Sequence, residues 1–229
     1  MWLQSRAVRY YAEALGLLSA LCVAMYVFRV VATSTTRYSF IPENLVLAWI
    51  GLFLGWALVN NLKKMRWLSW QNLALSAGWL VFLPNTWYVL TDFLHVYATG
   101  EISELYDIVM VGLLVLIGFT LGFTSLYIVH RELAKRLSPA QAWTIVEGVI
   151  LISSFAVYLG RVERWSSWDL LTNTSGVVIN VSDRVIDPLA NLHAWNLTGL
   201  FFVVLSVCYI AFTRALKVFE TSKSGRQPL

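Results

Sequence analysis

Charge is what this sequence has least of. Only 13% of its 229 residues are Asp, Glu, Lys or Arg, against 58% hydrophobic. A soluble domain carries roughly 25% charged residues to cover its surface, so an ordinary water-soluble fold is excluded. Cysteine is also scarce. Cys22 and Cys208 both sit in apolar runs with no CxxC pairing, so they read as small core residues and carry no signal of redox compartment. There is no HExxH motif, no internal repeat and no low-complexity linker, so residues 1–229 read as one domain. The net charge of +4 does not point to nucleic acid, because the basic residues form no continuous patch.

Long apolar runs are what the sequence does have. A helix rises about 1.5 Å per residue and needs roughly 20 apolar residues to cross a bilayer. Six segments qualify, at 10–32, 45–61, 70–91, 106–129, 139–160 and 194–214. Arg6 and Arg9 precede the first run as in a signal peptide, but the run from Tyr10 to Val31 is long enough to span. No small-residue cleavage site follows it, and Leu21 directly before Cys22 argues against lipoprotein processing, so a retained first helix is expected. Pro42-Glu43-Asn44 and Ser138-Pro139 read as capping chemistry at the starts of the second and fifth spans. Pro84 falls inside the third and removes a backbone donor, so a kink is expected there.

The basic residues set the expected orientation. Twelve of the 17 fall at the N-terminus, in the second and fourth loops and in the C-terminal tail. Arg29, Arg37, Arg161, Arg164 and Arg184 make up the alternate set. By the positive-inside rule the larger set is cytoplasmic. The fold class that follows is an all-α polytopic transmembrane bundle with six spans and both ends inside. The 161–193 stretch is too charged to cross and is expected as an outer loop with an amphipathic segment.

Most of the acidic residues fall on the outer side, in three clusters. Asn85, Tyr88, Asp92 and His95 are spaced 3, 4 and 3, one face of a helix if the third span continues. A polar stripe there should face the bundle interior or a wet cavity, although it would also serve to steady a kinked helix. Glu101, Glu104 and Asp107 open the fourth span. The helix dipole accounts for the first two, while Asp107, the last before an unbroken apolar run, is the one expected to enter a pocket. Arg161, Arg164, Trp165 and Trp168 share a face after the fifth span if that stretch is helical, with Asp169 at its edge. They suit either an interfacial helix with cation–π pairs or an anion site. Glu147, deep in the fifth span, is an intramembrane ionisable group that either functions or pairs with a neighbouring helix.

Pro84-Asn85, Tyr88, Thr91-Asp92 and His95, then Tyr106-Asp107, then Gly160-Arg161, Arg164-Trp165 and Ser167-Trp168-Asp169 together resemble the bacterial membrane proteins of domain-of-unknown-function family 1361. The resemblance runs from the second span to the sixth, and Ser166 stands where the family pattern has an Asn-like residue. It implies a bacterial inner membrane and no particular activity. Because its motifs are the same three outer clusters, it favours one composite pocket.

The reading that follows is an outward-facing pocket for a small anionic or zwitterionic ligand, for binding or transport. Asn85, Tyr88, Asp92 and His95 would form one wall, with Asp107, Arg161, Arg164, Trp168 and Asp169 orienting the ligand. The pattern names no cofactor, and the partners it implies are the bilayer and that ligand. Two alternatives stay open. One is an intramembrane enzyme acting on a lipid or envelope precursor, with Asp92 or His95 as base or metal ligand. The other is a structural or assembly protein, whose outer charges would close into salt bridges with no cavity beside them.

Overall fold

In the computed structural model, which describes residues 6–98 and 100–224, the chain is helical almost throughout, with no strand among the described residues. The long helices are α1 (Arg6–Thr33), α2 (Phe40–Asn61), α3 (Trp70–Phe82), α5 (Glu104–Leu133), α6 (Pro139–Arg161) and α9 (Leu192–Ser224). Shorter pieces are α4 (Asn85–Tyr88), a 3₁₀ segment (Val89–His95), α7 (Asp169–Thr172) and α8 (Thr174–Ile186). Six stretches are long and apolar enough to cross a membrane: Val8–Thr33, Phe40–Asn61, Trp70–His95, Glu104–Leu133, Pro139–Arg161 and Leu192–Val218. One end of the bundle carries the connections 34–39, 96–103 and 162–191, and the other carries 62–69 and 134–138. Arg226, one of the basic residues of the C-terminal tail, lies outside the described residues.

Helix α5 is the centre. Half of its most apolar stretch is buried within the protein, against 17% for α1 and α9, which leave most of their surface to lipid. Against α5 pack α2, α1 and α4, while α6 pairs mainly with α9. Polar groups in this interior are matched rather than absent. The Trp79 indole N–H donates to Ser125 Oγ (2.9 Å), which donates in turn to the Gly51 carbonyl (2.9 Å), tying α3, α5 and α2 together. Ser206 Oγ donates to Glu147 (2.6 Å), so that intramembrane carboxylate pairs across α6 and α9.

The start of α6 follows the sequence closely. Ser138 Oγ accepts from the Gln141 N–H (3.3 Å) and Gln141 Oε1 accepts from the Ser138 N–H (3.1 Å), a capping box with Pro139 at the first helical position. The start of α2 does not. It begins at Phe40, ahead of Pro42, and Ser39 makes no side-chain cap bond. Asn44 is therefore no cap; it lies buried inside the helix.

Pro84 does more than kink the third span. Without its N–H the α-helical ladder stops at Phe82, and the chain restarts as α4 and then tightens into the 3₁₀ segment. The Leu83 carbonyl accepts both the Thr86 N–H (3.1 Å) and Thr86 Oγ1 (2.7 Å), which fastens the first turn after the break. Three glycines seat this break. On α5, a Cβ at Gly118 would stand 2.5 Å from the Thr86 carbonyl oxygen and 2.7 Å from Val89 Cγ2, and one at Gly122 would collide with Thr86 Oγ1. On α2, a Cβ at Gly51 would sit 3.3 Å from the Phe82 carbonyl oxygen. Gly51/Gly55 and Gly118/Gly122 are both GxxxG spacings, the arrangement that lets membrane helices approach backbone to backbone. Overpacking of this kind costs about 1–3 kcal/mol, so Gly118→Ala is expected to lower the unfolding free energy by that amount. Thermal or denaturant unfolding of the purified protein would measure it, and an unchanged midpoint would refute the tight seat.

Candidate binding pocket

Where the broken third span meets the end of α6, the bundle opens into a cavity of about 760 Å³. Asn85, Tyr88, Asp92 and His95 line it from one side, and Arg161, Arg164, Trp165 and Trp168 from the other. The first four stay on one side because the 3₁₀ segment, at three residues per turn, sets Asp92 and His95 directly in line. The second four share a side for a different reason from the helical one expected. Helix α6 ends at Arg161, and Arg164 takes a left-handed backbone (φ 62°) that turns the chain back until the Trp165 N–H bonds the Leu159 carbonyl (3.2 Å). Neither expected cation–π pair forms; the Trp168 ring instead packs edge-on against Phe82 (5.6 Å). Gly160 permits the close approach of the two walls, since a Cβ there would meet the Tyr88 ring at 3.1 Å.

The polar groups fall into two kinds. Some are used to hold the pocket's shape. Asn85 Nδ2 donates to Ser167 Oγ (2.9 Å) and to the Phe82 carbonyl (3.1 Å), so it pins the 162–168 turn onto the helix break. Others present unspent capacity. Asp92 is buried, with Oδ2 accepting from Asn44 Nδ2 (2.7 Å), and Arg161 is near enough for its charge to act on that carboxylate. Arg161 Nη1 reaches His95 Nε2 (2.8 Å), one bond for a guanidinium with five donors. Arg164 has no hydrogen-bond or ion-pair partner among the described residues. Glu43, exposed on α2, adds a carboxylate to the rim.

Asp107 is not at this opening. Its carboxylate is gripped by Arg29, with Nε to Oδ1 at 2.7 Å and Nη2 to Oδ2 at 3.1 Å, both residues 1% exposed. Arg29 also donates to Thr35 (3.1 Å) and Glu101 (3.3 Å), and its guanidinium lies 4.4 Å from the centre of the Tyr38 ring. Tyr38 donates its hydroxyl to Asp107 Oδ2 (3.0 Å). Burial, and then this bond, push the Tyr38 hydroxyl up to about 12, so it remains a donor at any physiological pH. This closed network joins α1, the 34–39 connection and α5. Asp169 is likewise spent locally. It accepts from the Ser166 N–H (2.6 Å) and Ser166 Oγ (2.8 Å), and these two bonds, the backbone one foremost, hold its carboxyl below the usual range. Asp169 thus caps the turn into α7 and does not line the cavity.

Helix α8 roofs the pocket with Val177 and Val181. It is latched by Glu163, which takes an ion pair from Arg184 (2.7 Å) and hydrogen bonds from Asn180 (3.1 Å) and the Tyr158 hydroxyl (2.9 Å). Burial works to raise the Glu163 carboxyl, but those three partners outweigh it and hold it below its ordinary value. A carboxylate with a depressed folded pKa contributes stability above its unfolded value of about 4.3 and loses it as pH falls through the folded one. Hydrogen-exchange protection across 174–186 is therefore expected at neutral pH and should fade below about pH 4. Protection that stayed constant to pH 3 would show that the latch is not ionic.

Sequence reasoning missed Asn44 and Glu43, because their place in a Pro-Glu-Asn start signal reads as capping. It also missed Arg29 as the partner of Asp107. An arginine inside a first apolar run was itself a signal, since such a charge must find a counter-ion. Among the described residues no group of three His, Cys, Asp or Glu side chains gathers closely enough to hold a metal ion.

Six apolar spans with a mixed-charge cavity at one end define a multi-pass helical membrane protein. The chain belongs to the family described as protein of unknown function (DUF1361), whose model matches residues 44–208. No curated protein and no solved structure matches it.

Proposed function

We propose that the pocket between the third span and the end of α6 binds a small anionic or zwitterionic ligand, for binding or transport, on the outer side of a bacterial inner membrane. The observation that carries this reading is the guanidinium of Arg164. It lines a cavity with no partner among the described residues, beside an Arg161 that spends one donor. Guanidinium donors left free at a concave site are what bidentate recognition of phosphate or carboxylate requires. The neighbouring Asp92 and Glu43 carboxylates suit a ligand that also carries a cation or hydrogen-bond donors. Both chain ends are assigned to the cytoplasm by the excess of basic residues in the terminal segments and the loops 62–69 and 134–138.

A purely structural role does not call for a cavity beside the charges, although the Arg29–Asp107 network fits one. An enzyme acting on a lipid or envelope precursor shares the same residues, and it is favoured where a buried carboxylate and an imidazole, Asp92 and His95, face one opening.

Arg164 offers a test that separates fold from function. A non-glycine residue in the left-handed region costs about 1–2 kcal/mol, so Arg164→Gly is expected to keep or slightly raise thermal stability. The same change should lose the stabilisation that phosphate gives the wild-type protein, which ligand linkage predicts for any site that binds only the folded state. Equal phosphate-induced shifts in both proteins would remove Arg164 from the site.

A further inference from the structure

Resting on that reading, we infer that the ligand is an amphiphile, with a phosphate-bearing headgroup held at Arg161 and Arg164 and an apolar tail lying in the crevice between α3 and α6. The cavity does not stop at its charged mouth. It continues down α6 to Ile152 and along α3 to Leu80, both of which line it. Ile152 is nine residues before Arg161, about 13 Å along the helix axis, and lies within an apolar span. There it is 56% exposed, so the lower part of the cavity opens sideways onto the hydrocarbon of the bilayer. The wall is correspondingly divided, with charged groups at the mouth and Phe155, Ala156 and Val157 below. A small polar solute has no use for that lower crevice, whereas an acyl or isoprenoid chain fills it and arrives through it.

The roof supports the same conclusion. On α8, Asn180 and Arg184 turn inward to Glu163, while Val178, Ile179, Val185 and Ile186 are exposed. A helix facing water would turn its apolar residues in. This one presents an apolar face outward, as helices lying in the membrane interface do. The mouth it covers therefore sits at headgroup depth, and the crevice beneath it at chain depth.

The experiment compares inorganic phosphate, ethyl phosphate and octyl phosphate, the last below its micelle concentration, by thermal-shift titration of the intact purified protein. Each methylene taken from water into an apolar site gains roughly fourfold in affinity. Octyl phosphate is therefore expected to bind at least about thirtyfold more tightly than ethyl phosphate, even with part of the chain buried. Ile152→Trp, which fills the crevice from its lipid side, should cut that ratio at least about fivefold. Leu151→Trp, exposed on the same helix but away from the cavity, should leave the ratio intact. Equal affinity for ethyl and octyl phosphate would identify a free phosphate compound as the ligand and overturn the tail. A chain-length preference untouched by Ile152→Trp would assign it to the detergent and overturn it equally. Failure of all three phosphates to bind would sink both the anion site and this inference.

Discussion

Arg29→Ala is expected to destabilise the protein by about 3–5 kcal/mol, the cost of leaving a buried charge without its partner. The size follows from the geometry. Asp107 is 1% exposed and receives two bonds from Arg29 and one from Tyr38. Without the guanidinium, the carboxylate is left with a single phenol donor in an apolar surround, where Met110, Val111 and Leu114 follow it on α5. Asp107→Ala should cost a similar amount from the other side. The double replacement Arg29→Ala with Asp107→Ala should cost far less than the sum, because it removes both charges together and leaves neither unpaired. Equilibrium unfolding of the four proteins measures the coupling. Additive losses would mean that the pair does not hold α1 to α5. The network also touches the pocket from behind, since Tyr38 reaches the His95 carbonyl (3.4 Å) and Phe40 packs on the His95 ring (5.1 Å). Part of the loss should therefore appear as weaker ligand binding.

Arg161→Ala is the second large effect, expected on binding rather than on stability. Among the described residues Arg161 makes one hydrogen bond, to His95, and it sits partly exposed at the mouth, so its removal breaks little of the fold. A charge-assisted bond to an anion is about twice as strong as a neutral one. Truncating one partner of a desolvated charge pair costs about 2–5 kcal/mol, so phosphate affinity should fall by at least about thirtyfold. Arg161→Lys should restore only part of it, because an ammonium cannot reproduce the planar fork. An unchanged affinity in Arg161→Ala would exclude Arg161 from contact with the ligand.

The difference between these two residues shows what the sequence could and could not reveal. The six spans were legible because bilayer thickness imposes a length on every apolar run, and the observed helices differ from the expected ones by a few residues. The polar faces were legible as far as local periodicity reaches. Asn85, Tyr88, Asp92 and His95 do share one side, although through a short helix and a 3₁₀ turn instead of a continuous α-helix. Arg161, Arg164, Trp165 and Trp168 share a side because of one left-handed residue, which no periodicity announces. Asp107 was placed with the pocket on charge and position along the chain alone. Its true partner is 78 residues away, and pairings at that separation are decided by how helices pack. The packing itself left a trace that went unread. Gly51, Gly118 and Gly122 clasp the Pro84 break while Gly55 seats Trp79 and Ser125, and the GxxxG spacing of both pairs is visible in the sequence.

One structural fact joins these observations. The broken third span delivers Asp92 and His95 to the same opening as the turn that carries Arg161 and Arg164. A double-mutant cycle on His95→Ala and Arg161→Ala, read as phosphate affinity of the purified protein, tests this most directly. Residues serving one ligand in contact with each other should be coupled by about 0.5–3 kcal/mol. Losses that add within about 0.5 kcal/mol, or a His95→Ala variant that binds like the wild type, would contradict a single shared pocket.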